Sequence, residues 1–131
     1  MKSVLGSTRR PDISFYRNGK IDITARISDA IGLEDGDVID IAEDRGEYYL
    51  YVRVKASEAV GRHEARCFPT HKGGKRNRNF RAYSRKLSEF VLSHSGSEDV
   101  ARVPAGKGEY LPNLGKAINI IIGCNLTSNN K

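Results

Sequence analysis

Gly19-Lys20-Ile21-Asp22-Ile23-Thr24, then Ile27, Ala30-Ile31-Gly32-Leu33 and Gly36-Asp37-Val38-Ile39-Asp40-Ile41, form the stretch on which the fold turns. Lys20 to Thr24 alternates polar and apolar residues, which puts Ile21 and Ile23 on one face of a strand. Ile13-Ser14-Phe15-Tyr16 just before it reads as a second strand. Asn18-Gly19 joins the two with the dipeptide best suited to the positive φ angles of a tight hairpin. The period then changes. Thr24 is placed to N-cap a short helix with Ile27, Ala30 and Ile31 as its apolar stripe, and Gly32 supplies the left-handed residue that ends it. Glu34-Asp35-Gly36-Asp37 is a turn, and Val38, Ile39 and Ile41 make a strand. Asp44-Arg45-Gly46 turns again, and Tyr48 to Val54 returns as a strand.

Working outward, the chain has 131 residues, enough to bury a core without metals or disulfides. Apolar residues make up 38% and charged residues 29%, which excludes a membrane-embedded or broadly disordered chain. No apolar run approaches the roughly 18–20 residues that cross a bilayer. Met1 to Pro11 is a short basic arm without the apolar core of an export signal, so a cytoplasmic protein is expected. Cys67 and Cys124 are then expected as free thiols. The net charge of +6 favours polyanionic partners through attraction and counterion release.

The second half is patterned more loosely. Val60 to Phe68 reads as extended, and His71 to Asn79, with Gly73-Gly74, reads as a loop. Phe80, Tyr83, Leu87, Phe90 and Val91 recur at helical spacing, which predicts a helix capped by Asn79 and running to about Ser93. Val100 to Val103 is a strand, Ala105 to Gly108 a turn or loop, and Ala117 to Ile122 a buried-type strand. No long-period repeat is evident.

With these residues in place, the segment 13–55 resembles the AbrB/MazE-type swapped-hairpin domain. That family reads Gly-basic-Ile-x-Ile-Pro, a short helix, Leu-Gly-Leu, two residues, Gly-Asp and a final apolar strand; the spacing here fits without a gap. Thr24 stands at the family's Pro, and Ala25, Ser28 and Asp29 replace basic residues of its helix, leaving Arg26. The resemblance implies an interlaced homodimer, since a lone hairpin cannot bury its apolar face. It also implies transcription regulation through DNA contacts at Arg17, Lys20 and Arg26. Closure within one chain, by Val100 to Val103 and Ala117 to Ile122, is the alternative to the dimer. The expected fold class is α+β, mostly β. A basic arm (1–12) leads into an AbrB-like hairpin barrel (13–55), an α+β extension with one amphipathic helix and further strands (56–124), and a disordered tail (125–131).

Arg62 to Lys86 holds nine cations against the single acid Glu64. Lys72, Lys75, Arg76, Arg78, Arg81 and Arg85 are its candidate nucleic-acid contacts, and Arg9 and Arg10 of the arm add phosphate contacts. A helix from Asn79 would put Arg81 and Arg85 on one face and turn Phe80, Tyr83 and Leu87 inward. Aromatic residues among arginines also suit single-stranded nucleic acid, where rings stack on bases. His63, Cys67 and His71 recur every fourth residue and, with Cys124, have zinc-binding chemistry. Pro69 breaks any helix that would align them, so no metal or other cofactor is expected. His94 is placed to cap helix carbonyls. No set of residues here calls for an enzyme. The expectation is a DNA-binding dimer; the alternatives are a protein-interaction module with an acidic partner, and a single-strand binder.

Overall fold

The computed structural model describes residues 12–53, 64–70 and 79–122. In chain order its elements are β1 (Ile13–Tyr16), β2 (Lys20–Ile23), α1 (Ala25–Ile31), β3 (Val38–Asp44), β4 (Glu47–Val52), β5 (Ala65–Arg66), β6 (Phe68–Pro69), β7 (Phe80–Tyr83), α2 (Arg85–Ser95), β8 (Val100–Val103), β9 (Ala105–Leu111) and β10 (Gly115–Ile120). They build two antiparallel five-stranded sheets, ordered β6-β7-β2-β1-β8 and β5-β3-β4-β10-β9. The fold is α+β and mostly β. No helix of the described residues is long and apolar enough to cross a membrane.

Alternation places the core. Ile13 and Phe15, Ile21 and Ile23, Phe80 and Ala82, and Ala101 and Val103 are buried, with their sequence neighbours turned outward. Ile39, Leu50, Ile118 and Ile120 of the other sheet join the same apolar cluster. Ile27 and Ile31 of α1, with Val91 and Leu92 of α2, complete it. Burying a branched or aromatic side chain of this kind stabilises the fold by about 1.5–3 kcal/mol against leaving it in water.

Both sheets draw on both halves of the chain. β1 pairs with β2 along one edge and with β8 along the other, Phe15 lying opposite Ile21 and Ala101. β4 pairs with β3 and with β10, Leu50 lying opposite Ile41 and Ile118. The edges of the two early hairpins are thus taken by later strands of the same chain.

The strand order also recurs. β2, a single link residue (Thr24), α1, the left-handed Gly32 and β3 are followed later by β7, Ser84, α2, the left-handed Gly96 and β8. The pairings exchange accordingly: β1 joins β2 and β8, whereas the β5–β6 segment joins β7 and β3. β2 and β7 pair with each other across the centre. Cys67 marks the point where the β5–β6 segment passes between sheets, held by Cys67 N–H to Asp37 O (2.7 Å) and Gly36 N–H to Cys67 O (2.8 Å).

Several elements differ from their sequence reading. The helix expected from Asn79 starts at Arg85, because Phe80 to Tyr83 is strand β7 with Phe80 and Ala82 inward. Ser84 caps that helix through Leu87 N–H to Ser84 Oγ (3.2 Å). Asn79 instead accepts the Ala25 N–H of α1 on its Oδ1 (2.8 Å). Thr24 occupies the N-cap position of α1 but donates its hydroxyl to Asp12 O (3.0 Å) rather than capping. The turn expected at Ala105 to Gly108 is the start of β9, whose pairing with β10 takes up an irregularity between Ile118 and Ile120. His94 meets its expectation, its Nδ1 lying 2.9 Å from Phe90 O. Residues 1–11 of the expected basic arm, 71–78 of the expected loop and the expected tail at 125–131 lie outside the described residues.

Candidate nucleic-acid interface

The outward residues of the first sheet follow from its register. One row across it reads Phe68, Arg81, Asp22, Ser14, Arg102. In the next row Tyr83 faces Lys20. Tyr16 lies close by, with Lys20 Nζ 4.5 Å from the centre of its ring. At a strand spacing of about 4.8 Å, the first row spans about 19 Å.

Two rings stand out. Phe68 and Tyr83 stack on one another with centroids 6.2 Å apart and planes 22° from parallel, and they remain 39% and 52% exposed. Neighbouring strands β6 and β7 project them from the same face. A large apolar pair left this open is the informative kind of exposure.

Cations lie beside the rings and at the adjoining hairpin turn. Arg17 sits in the β1–β2 turn, its N–H on Asp99 O (2.9 Å) and its guanidinium 3.9 Å from the Asp99 carboxylate. That pair is exposed at both ends and contributes little to stability. Arg85 opens α2 beside the same turn: Ser84 N–H donates to Gly19 O (2.9 Å), and a Cβ on Gly19 would lie 3.0 Å from Arg85 Cγ. Gly19 has φ +100°, so the turn needs glycine both for its backbone and for this close approach. Arg81 Nε donates to Asp22 Oδ1 (2.7 Å), and this bond is the main cause of its raised pKa. The Asp22 charge at the middle of the face is thereby matched. A cleft of about 240 Å³ opens beside the pair, bordered by Ser14, Thr24, Thr70 and Asn79.

Arg26 is placed differently. Its Nε and Nη2 reach Asp12 Oδ1 and Oδ2 (2.9 and 2.7 Å), and Nη2 also reaches Ala105 O (2.8 Å). The hydrogen bond to Asp12 pushes its pKa up. This fork ties α1 to the start of β1 and to β9, and it does not join the basic face. Arg9, Arg10, Lys72, Lys75, Arg76 and Arg78 lie outside the described residues. Of the sequence candidates the structure therefore groups Arg17, Lys20, Arg81 and Arg85.

Phe68, Tyr83, Tyr16 and Arg102 were not among those candidates. Strand alternation in Val100-Ala101-Arg102-Val103 turns Arg102 outward, and Ser84 as a helix cap would have released Tyr83 from the helix. His63, His71 and Cys124 also lie outside the described residues, and among the described ones no group of three metal-ligating side chains converges. Cys67 is buried, and burial, with Asp37 nearby, pushes its thiol up to about 12. A second cleft of about 540 Å³ lies between β3 and α2. Its floor is Ile39, Ile41, Leu87 and Phe90, and at its rim Arg53 is ion-paired with Glu64.

Comparison of the chain with family models, with curated proteins and with solved structures gives no match.

Proposed function

We propose that this protein binds nucleic acid on the outer face of the β6-β7-β2-β1-β8 sheet. The observation that carries this reading is the exposed Phe68–Tyr83 stack beside Lys20, Arg81 and Arg85. Rings of this kind stack on unpaired bases, each contact contributing about 1–3 kcal/mol, while cations follow the phosphates. The rings favour single strands over the duplex. Arg17, Lys20 and Arg85, gathered at the hairpin turn, support a second reading as a duplex-binding regulator, with the cations as phosphate contacts. The recurring strand order supports the inference that one chain carries both halves of an AbrB-like module, so that a second chain is not required to close its sheets. Reduced thiols in the cytoplasm fit the buried, protonated Cys67.

Fluorescence anisotropy with labelled single-stranded and duplex oligonucleotides over a salt series tests this. Single-strand binding that weakens steeply with salt and is lost in Phe68→Ala/Tyr83→Ala is the expected result. Equal affinity of that variant and the wild type would remove the stacking role. No binding of either nucleic acid at low salt would remove the function.

A further inference from the structure

The outer face of the second sheet has the opposite character. Tyr49 and Tyr51 of β4 project from it side by side. Tyr51 lies between Asp40 and Ala117, and Tyr49 between Ala42 and Asn119. Asp44 faces Glu47 at one end, and Glu109 flanks Ala117 on β9. Ala117 is fully buried although it stands apart from the main core cluster. Tyr49 Oη lies 3.4 Å from Glu47 Oε1, which also accepts from Asn119 Nδ2 (3.3 Å). Both tyrosines feel the carboxylates. Partial desolvation raises the pKa of each, reinforced by Glu47 and Glu109 at Tyr49 and by Asp40 at Tyr51, where Arg53 acts against the rise. An aromatic centre inside a charged rim is the anatomy of a protein interface.

We infer that this tyrosine face docks the basic aromatic face of a second copy of the chain, head to tail, so that nucleic acid and a neighbouring molecule compete for one surface. The argument is complementarity. Asp44, Glu47 and Glu109 rim one sheet, with Asp40 next to Arg53, and Lys20 and Arg102 stud the other, with Arg85 beside its hairpin turn and Arg81 matched to Asp22. Both faces carry a pair of rings, at the β6–β7 edge of the first sheet and on the central strand β4 of the second. Opposite fields orient such an encounter and fade as salt screens them. The contact joins two different surfaces, so each docked molecule still presents both, and the assembly grows with concentration rather than stopping at a closed dimer. The docking stands on the two faces alone; the competition rests on the nucleic-acid reading.

Sedimentation velocity of the full chain over concentration and salt series tests both parts. The variants are Glu47→Lys/Glu109→Lys on one face and Lys20→Glu/Arg85→Glu on the other, each checked for folding by circular dichroism. Tyr49→Ala serves as a milder probe of the acidic side. At low salt the wild type should associate, and each charge-reversed variant alone should do so about tenfold more weakly or worse. An equimolar mixture of the two variants should associate again, because each restores the other's complement. A wild type that stays monomeric throughout the low-salt series overturns the docking. So does association that survives both Glu47→Lys/Glu109→Lys and Tyr49→Ala, which would leave the acidic face to another basic protein. Adding a short oligothymidylate should dissolve the assembly; assemblies that bind it and remain intact overturn the competition. Association without any anisotropy change on adding oligonucleotide would instead retire the nucleic-acid reading and leave the docking standing.

Discussion

Turned inward, the two sheets are alike: isoleucine, leucine, valine, phenylalanine and alanine alternate along their strands and merge in one core. Turned outward they part. The first sheet shows Phe68 and Tyr83 beside Lys20 and Arg81 at one side and Arg102 at the other; the second shows Asp40, Asp44, Glu47 and Glu109 around Tyr49 and Tyr51, with Arg53 at one end. Burial constrains every second residue of a strand, and the intervening positions are left to carry charge and rings for other purposes. A net charge of +6 does not report this division, because it sums every charge of the chain and not those of either face.

Breaking the shared inner side should have the largest effect. Phe15→Ala, at a fully buried position paired to both β2 and β8, should cost about 3–5 kcal/mol in urea unfolding. Asp12→Ala comes next. It strands the Arg26 fork and the Ala105 N–H that donates to Asp12 Oδ2 (3.0 Å). A loss of about 2 kcal/mol is expected, held down because Arg26 is 46% exposed. Neither change should reduce the salt dependence of nucleic-acid binding by folded protein.

The outer faces separate in the third test. Tyr83→Ala should weaken single-strand binding by about 1–3 kcal/mol, whereas Tyr49→Ala on the opposite sheet should leave it unchanged at protein concentrations too low for self-association. Lys20→Ala should lower the salt slope by about one charge, and Arg26→Ala should not. A slope that responds to Arg26 would place the interface at α1 and undo the comparison.

The smallest effect concerns pH. The Cys67 thiol is raised from 9.0 to about 12 by burial, so the unfolded chain releases that proton first. Stability from this group is therefore complete below pH 9 and falls between pH 9 and 12. At pH 10 the loss is about 1 kcal/mol, read as the difference in pH dependence between wild type and Cys67→Ala.

Much of the first half was legible in sequence. Asn18-Gly19, the Ile21–Ile23 alternation, Gly32 and the Asp44-Arg45-Gly46 turn are local signals, and the elements formed where those signals placed them. The second half misled at Phe80 to Tyr83, where apolar residues three apart fit a helix as well as an alternating strand. Its pairing with β2 decided for the strand. Glycines at 106 and 108 suggested a turn, yet both lie in β9, and Gly108 is needed there. A Cβ on Gly108 would lie 3.1 Å from Ala30 O, so the absence of a side chain admits α1 against the strand. The recurrence of strand, helix and strand could not be read at all, since it shares little beyond the helix-ending glycines. The candidate interface was half legible. Lys20, Arg17 and Arg85 were visible as charges, but Phe68 and Tyr83 became neighbours only through the pairing of β6 with β7. Arg26 read in sequence as one more DNA contact, but Asp12 holds it in the structure.

Asp12 also bears on how the molecule is made. Its carboxylate meets Ala105, 93 positions later, and its N–H meets Val103 O (3.0 Å). As the chain leaves the ribosome, the early hairpin must wait for most of the polypeptide before its free edge and its carboxylate are met. Until then the nascent protein carries an uncovered strand edge, which is the kind of surface chaperones hold.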